Sequence, residues 1–186
     1  EESQIMAGLT PGVSVMTNRD LAQFIVAVSD NAATNVLIRR VGMDKVNTML
    51  RARGLTRTLM RRKMIDLAAA QRGDENVATP AEMTRLLGDL FHGQLLDSTL
   101  TAALLTQLSS GKRSYLPHEL PAGVRVANKP GWLDGVRADV GIVYAQRRPF
   151  AISVMTAYAR DERAAELAIG EVALAAYRYF EILGRT

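Results

Sequence analysis

Val28-Ser29-Asp30-Asn31-Ala32 is the stretch on which the reading of this chain turns. Ahead of it, Leu21, Phe24, Ile25 and Val28 recur at i, i+3, i+4 and i+7, the spacing of one buried helical face. Behind it, Ala33, Val36, Leu37 and Val41 keep a similar period. Serine, aspartate and asparagine bond to nearby backbone and favour helix ends over helix interiors. The spacing therefore predicts a corner between two helices, with polar side chains held at a rigid junction. From this trio alone, a helix cap without chemistry would look the same.

Working outward, Thr17 with Asp20 three residues on is close to a capping box and starts the helix that delivers Ser29. Asp30 can cap the next helix, which stops at Gly42, and a third helix carries Val46, Met49 and Leu50 and ends at Gly54. From Leu55 to Thr79 the apolar period weakens and charged residues crowd in, which predicts a long connection with a functional or mobile role. Thr79-Pro80-Ala81-Glu82 is a helix start, followed by Met83, Leu86, Leu87 and Leu90 on a core face. Asp97 or Ser98 caps another helix with Leu100, Leu104 and Leu108 inside. After Gly123 the period becomes extended: Val124–Asn128, Arg137–Tyr144 and Phe150–Tyr158 predict a three-stranded antiparallel meander. An amphipathic helix returns from Asp161 to Leu183, with Leu167, Val172, Leu174 and Tyr177 expected on the sheet. The expected division is a mostly helical region over 1–116 and strands plus a C-terminal helix over 117–186.

The 186 residues, with 48% hydrophobic and 23% charged, are enough for a real core and argue against disorder. There is no cysteine, so disulfides and cysteine metal sites are excluded. No metal or cofactor is expected. The net charge of +4 is scattered in short clusters without interleaved aromatics, which speaks against nucleic-acid binding. No run approaches the roughly 18 apolar residues of a membrane span. His92, near a helix end, and His118, beside Pro117, are expected to be a helix-end partner and an exposed side chain.

A second stretch, Lys129-Pro130-Gly131, changes what the corner means. A Ser-Asp-Asn corner followed, after a long gap, by Lys-(Thr/Ser)-Gly on a strand is two thirds of a catalytic set. With Leu9–Val15, Gly73–Pro80 and Leu120–Gly123 in matching order, the chain resembles the class A β-lactamases and related penicillin-binding D,D-peptidases, in the β-lactamase-related subgroup. The resemblance runs from about Leu9 to Phe180. It implies an α/β (α+β) transpeptidase-like fold: an all-helical region and an antiparallel sheet flanked by helices. It also implies further N-terminal strands beside Phe150–Tyr158 that this chain does not contain, leaving an open edge without them.

The resemblance further implies a serine hydrolase performing acyl transfer on a β-lactam or a peptide-like amide of cell-wall type. Its nucleophile is the serine of a Ser-x-x-Lys motif upstream of the corner, and no such motif occurs among the 28 residues before Ser29. Ser109-Ser-Gly-Lys112 has the letters but reads as a turn after a helix. The chain is therefore expected to be the C-terminal part of a longer protein, inactive alone, with the nucleophile segment on the same or a separate chain. A periplasmic or extracellular location would follow from the family pattern.

In that reading Ser29 passes a proton to the leaving nitrogen, and Asn31 holds the substrate amide and the nucleophile's lysine. Lys129 draws the substrate carboxylate, Gly131 lets the acyl group lie close to the strand, and the Trp132 N–H is an oxyanion donor. Arg137 is a candidate second carboxylate ligand. The family's loop glutamate is absent from Leu55 to Asp74, its place falling near Lys63; Asp66 is the nearest carboxylate and the candidate to substitute for it. Pro130 stands where the family carries a hydroxyl that binds the carboxylate, and offers neither hydroxyl nor N–H. These two departures keep open a second reading, a binding or regulatory module of weak or no turnover.

Overall fold

A computed structural model describes Ser3, Gly12 and residues 15–184. The chain forms two compact units, Glu1–Thr79 and Pro80–Thr186.

The first unit is built on helices α1 (Asn18–Val28), α2 (Asn31–Val41), α3 (Met43–Ala52) and the short α4 (Leu67–Gln71). A full capping box starts α1: Thr17 Oγ1 accepts the Asp20 N–H, and Asp20 accepts the Thr17 N–H at 3.0 Å. Asp30 caps α2 through the Ala33 N–H at 2.8 Å, and Gly42 ends it. The buried faces differ from the expected stripes. Leu21 and Val26 are buried on α1, and Ala32, Ala33, Asn35 and Ile38 on α2, whereas Val28, Val41 and Met49 are exposed. The physical reason lies in Asn35, a polar residue taken inward to serve a loop, which a count of apolar residues passes over.

That loop is the charged connection after α3, and asparagine side chains order it. A carboxamide offers one acceptor and one donor, so it can stand in for a peptide of a neighbouring strand. Asn47 accepts the Met60 N–H and donates to the Met60 carbonyl, both at 2.8 Å. Asn35 does the same for Met64, at 2.8 and 3.1 Å. Asn76 accepts the N–H groups of Arg61 and Arg62 and donates to the Arg62 carbonyl. Leu59 and Val77 form a single antiparallel bridge, and Arg62 pairs with Glu75 at 2.7 Å.

The second unit holds α5 (Pro80–Phe91), α6 (Ser98–Leu108), strands β1 (Val126–Leu133), β2 (Val136–Val143) and β3 (Phe150–Thr156), and α7 (Glu162–Leu183). The strands form one antiparallel sheet in the order β1-β2-β3, the expected meander. β1 continues past Asn128 through Lys129 and Pro130 to Leu133. Asp97 caps α6 and Asp161 caps α7.

Alternation sorts the sheet into two faces. Val126, Val143 and Phe150 stand across from one another in the register and pack with Ile169 and Ala173 of α7, Tyr115 and Leu116. Phe150 stacks on Phe180, ring centroids 4.5 Å apart. Ile142, of the opposite parity, lines a cavity with Thr84, Gly88 and Phe91 of α5. The inward stripe of α7 is Ala165, Ile169 and Ala173, continued by Ala176 and Phe180; Tyr177 also packs there as expected, but Leu167 and Val172 face out. Small residues on that stripe let the helix approach closely: a Cβ at Gly170 would come within 2.9 Å of Glu119.

Candidate active site

Ser29 sits at the corner in left-handed backbone, φ 54 and ψ 40. Its N–H closes α1 on the Ile25 carbonyl at 3.1 Å, and the Asp30 N–H reaches the Phe24 carbonyl at 3.3 Å. A side chain with Cβ in this region is uncommon and costs energy, so the residue is held there by the two helices that meet at it. Asp30 is buried and locks the corner. Besides its bond to Ala33, it accepts from Ser3 Oγ at 2.6 Å, and its carbonyl accepts from Thr34. Asn31 opens the first turn of α2 and is half-buried.

Asp66 occupies the N-cap of α4, and its Oδ1 accepts the Ala69 N–H at 3.0 Å. The loop residue gripped by buried Asn35 is Met64, one place beyond Lys63, so the position this asparagine holds carries a thioether. Ile65 follows it with φ 60, and a β-branched residue in left-handed backbone marks a stretch under constraint.

On the sheet, Lys129, Gly131 and Leu133 share one face of β1 by alternation, and a Cβ at Gly131 would meet nothing within 4 Å. Lys129 Nζ donates to the Pro130 carbonyl at 2.8 Å. Its pKa is lowered from the ordinary lysine value by burial; Asp139 works against that and Lys112 adds to it.

β1 bonds to a neighbouring strand along one side only, among the described residues. The Tyr144 N–H bonds to the Arg125 carbonyl, so Arg125 and Tyr144 are a hydrogen-bonded pair. Counting along the register, Asn128, Pro130 and Trp132 fall on non-bonded pairs, and their backbone groups point away from β2. Two things follow. Pro130 removes no ladder bond, which is why proline is tolerated there. The Trp132 N–H points toward the open edge, with its indole half-exposed.

Arg137 lies elsewhere. It is directly across from Trp132, on the face opposite Lys129. Its guanidinium pairs with Glu162, with Glu166 at 3.1 Å, and with the carbonyls of Leu133 and Val136 at 2.9 and 2.8 Å. The side chain ties α7 to the β1–β2 turn and stays apart from Lys129.

Several groups around Lys129 were not legible as site residues. Asp139, wholly buried, accepts the Tyr115 and Leu116 N–H groups at 2.9 and 3.0 Å and the Asn128 amide at 2.8 Å. Burial raises its pKa against the pull of these hydrogen bonds and of Lys112. The signal available was an aspartate in the middle of a strand whose following residues, Val140 to Val143, are all apolar or glycine. Asn128 needs Gly141 across from it: a Cβ there would stand 2.6 Å from the Asn128 Cβ. Ser109 is the C-cap of α6 and donates to the Leu105 carbonyl, while Lys112 Nζ donates to the Leu108 and Ser110 carbonyls at 2.6 and 2.7 Å. The Ser109–Lys112 letters are thus a helix end, as the turn reading had it. His118 is exposed and pairs with Glu119. Among the described residues no group of three or more His, Asp or Glu is placed to hold a metal, and no helix is long and apolar enough to cross a membrane.

The arrangement resembles proteins of known class. The chain is 28% identical over 153 residues to the ROB-1 β-lactamase of Haemophilus influenzae, covering 79% of this chain and 50% of that protein. It is 29% identical over 177 residues to a β-lactamase of Streptomyces albus G, covering 91% and 55%. It spans about half the length of these curated relatives. Among solved structures it is similar to a β-lactamase of Sphaerobacter thermophilus, with 29% identity, a TM-score of 0.85, and coverage of 98% of this chain and 70% of that one. It is also similar to PBP-A, with 25% identity, a TM-score of 0.82, and coverage of 97% and 67%; a variant of PBP-A has been solved as an acyl-enzyme with penicillin G. A sequence model of the β-lactamase enzyme family matches residues 1–180, which is nearly all of the chain, and on that match, with its α/β transpeptidase-like fold, the chain belongs to the β-lactamase enzyme family.

Proposed function

We propose that this chain is the larger part of a serine acyl hydrolase that acts on a β-lactam or a peptide-like amide of cell-wall type, with the nucleophilic serine and its lysine supplied from outside these residues. The observation that carries the reading is the backbone of Ser29. A polar residue kept in a left-handed conformation between two capped helices is strain retained for a purpose, and such strain collects at reactive sites. Ser29 relays the proton to the leaving nitrogen, and Asn31 holds the substrate amide. Lys129 gives positive potential for the substrate carboxylate. The Trp132 N–H, directed to the free edge of β1, is one donor to the developing oxyanion. Gly131 leaves room for the acyl group beside the strand. In this reading Arg137 is a structural lock between strand and helix.

The second reading, a protein that is acylated and scarcely turns over, is favoured by Met64. The loop position that Asn35 holds has no carboxylate to activate a water, and Asp66 has one oxygen committed to its helix cap. One experiment separates the two. The complete gene product, treated with a fluorescent penicillin, is expected to take up label covalently. Ser29→Ala and Lys129→Met are each expected to slow labelling about 100-fold or more, the ordinary contribution of a positioned proton donor or charge. Release of the label over minutes would mark a hydrolase, and its retention for hours an acylated binding protein. Absence of labelling in the wild-type gene product sinks both.

A further inference from the structure

We propose that the stretch Arg39–Lys63, within the unit Glu1–Thr79, is a peripheral docking surface for an anionic phospholipid bilayer. The small net charge of +4 hides a segregation. These 25 residues hold nine arginines and lysines against one acid, Asp44, whereas the other 161 residues hold fourteen against eighteen. The stretch is therefore +8 and the remainder −4.

Three segments carry this charge, and the fold ties them together. Arg39 and Arg40 end α2, Lys45 and Arg51 lie on α3, and Arg57 and Arg61 belong to the loop; all six are exposed. The clamps of Asn47 on Met60 and of Asn35 on Met64 hold that loop beside both helices. Arg62 is balanced by Glu75. Arg40 and Arg51 instead donate to neutral side chains, Asn18 and Thr48. A neutral partner fixes a guanidinium without cancelling its charge.

Helix stability accounts for part of the pattern. Arginines in a last turn, as at Arg39, Arg40 and Arg51, are favoured by the helix dipole. Lys45 is not, because the first turn of α3 disfavours a cation, and Arg57 and Arg61 lie outside any helix. Positive charge kept where the fold does not profit from it makes a field that an anionic surface answers. None of the six exposed cations has a part in the acyl-transfer site.

The kind of anion follows from what accompanies the charge. The stretch has no aromatic residue on which a base could stack, which speaks against single-stranded nucleic acid. Val41 and Met49 are instead 46% and 42% exposed among the cations. Basic side chains interspersed with apolar ones suit a headgroup layer, where the cations meet lipid phosphates and the apolar groups enter the acyl boundary.

Co-sedimentation of the complete gene product with lipid vesicles tests this. Vesicles of phosphatidylcholine with about one-third phosphatidylglycerol are expected to bind it, and phosphatidylcholine alone is not. Binding should fall steeply as salt rises from about 0.1 M, where the screening length is about 10 Å, to about 1 M, where it is about 3 Å. Lys45→Glu and Arg61→Glu are each expected to weaken binding about 10-fold or more. Lys45→Glu should melt no lower than wild type, since an acid suits a first turn, so its lost docking is not lost folding. Arg148→Glu makes the same charge change at an exposed position of the other unit and is expected to leave binding unchanged. Met49→Trp is expected to give a blue-shifted emission on the anionic vesicles and none on soluble polyphosphate. An equal loss in Arg148→Glu would reduce the effect to net charge and overturn the surface. No binding to the anionic vesicles, equal binding to phosphatidylcholine, or a Met49→Trp emission that stays unshifted on the anionic vesicles overturns it as well.

Discussion

A lysine kept partly out of water destabilises the fold that holds it, and Lys129 carries that signature. Its pKa in the folded protein is lowered, chiefly by burial, below the ordinary value of 10.5. Between the lowered value and 10.5 the unfolded chain binds more protons than the folded one, so this group makes stability rise with pH across that window. Below the window both states are protonated, and the full cost of the buried charge is felt. Lys129→Met is therefore expected to melt higher than wild type at neutral pH, with the advantage shrinking as pH climbs through the alkaline range. Thermal melts from pH 6 to 10.5 check this; a variant that melts lower at neutral pH would show that Lys129 is structural. Asp139 behaves in the complementary way. Its raised pKa means that the stability it contributes is full below the unfolded value of 3.8 and is lost as pH rises through the folded value.

At the scale of elements, the loop after α3 and the β1–β2 pair each depend on one contact. Asn35 is buried and satisfies both backbone groups of Met64. Asn35→Ala removes the partner of a half-buried N–H and C=O, and a loss of about 1–3 kcal/mol is expected. Hydrogen exchange at residues 60–66 should rise in the same variant. Exchange unchanged there would mean that the Asn47 and Asn76 clamps suffice. Between the strands, Gly141→Ala would drive a Cβ to 2.6 Å from Asn128 Cβ and 2.8 Å from the Ala127 carbonyl oxygen, and about 2–3 kcal/mol should be lost. Gly131→Ala, which meets nothing within 4 Å, should leave the unfolding free energy within about 0.5 kcal/mol of wild type. These elements also show what a sequence discloses. The caps at Thr17, Asp30 and Asp97 act locally, and their positions were legible because a cap bonds within three residues of itself. The clamps of Asn35, Asn47 and Asn76 reach 13 to 29 residues along the chain, and no local pattern announces them. The stripe of α7 was misread at Leu167 and Val172 because size was weighed above spacing, when the close approach needs Ala165, Ala173 and Gly170.

At the scale of the molecule, the residues assigned to the reaction are divided between two compact units. Ser29 and Asn31 belong to Glu1–Thr79, and Lys129, Gly131 and Trp132 to Pro80–Thr186. Motif letters made both groups legible, because each is a short run with fixed neighbours. Arg137 was harder to place, since facing is set by strand register and by what α7 offers, and Glu162 and Glu166 lie 25 and 29 residues further on. A division of this kind gives a sharp test of whether the groups serve one reaction. Rates of penicillin labelling of the complete gene product are measured for wild type, Ser29→Ala, Lys129→Met and the double variant. Independent sites give losses that multiply, so two 100-fold effects become 10,000-fold. Groups that act on one reacting centre give a much smaller combined loss, because once one is gone the other has less of the transition state left to stabilise. A double variant within about 10-fold of the slower single variant is expected. Multiplying losses would mean that Lys129 acts apart from the step Ser29 serves, in an earlier binding event, and would confine Lys129 to recognising the substrate.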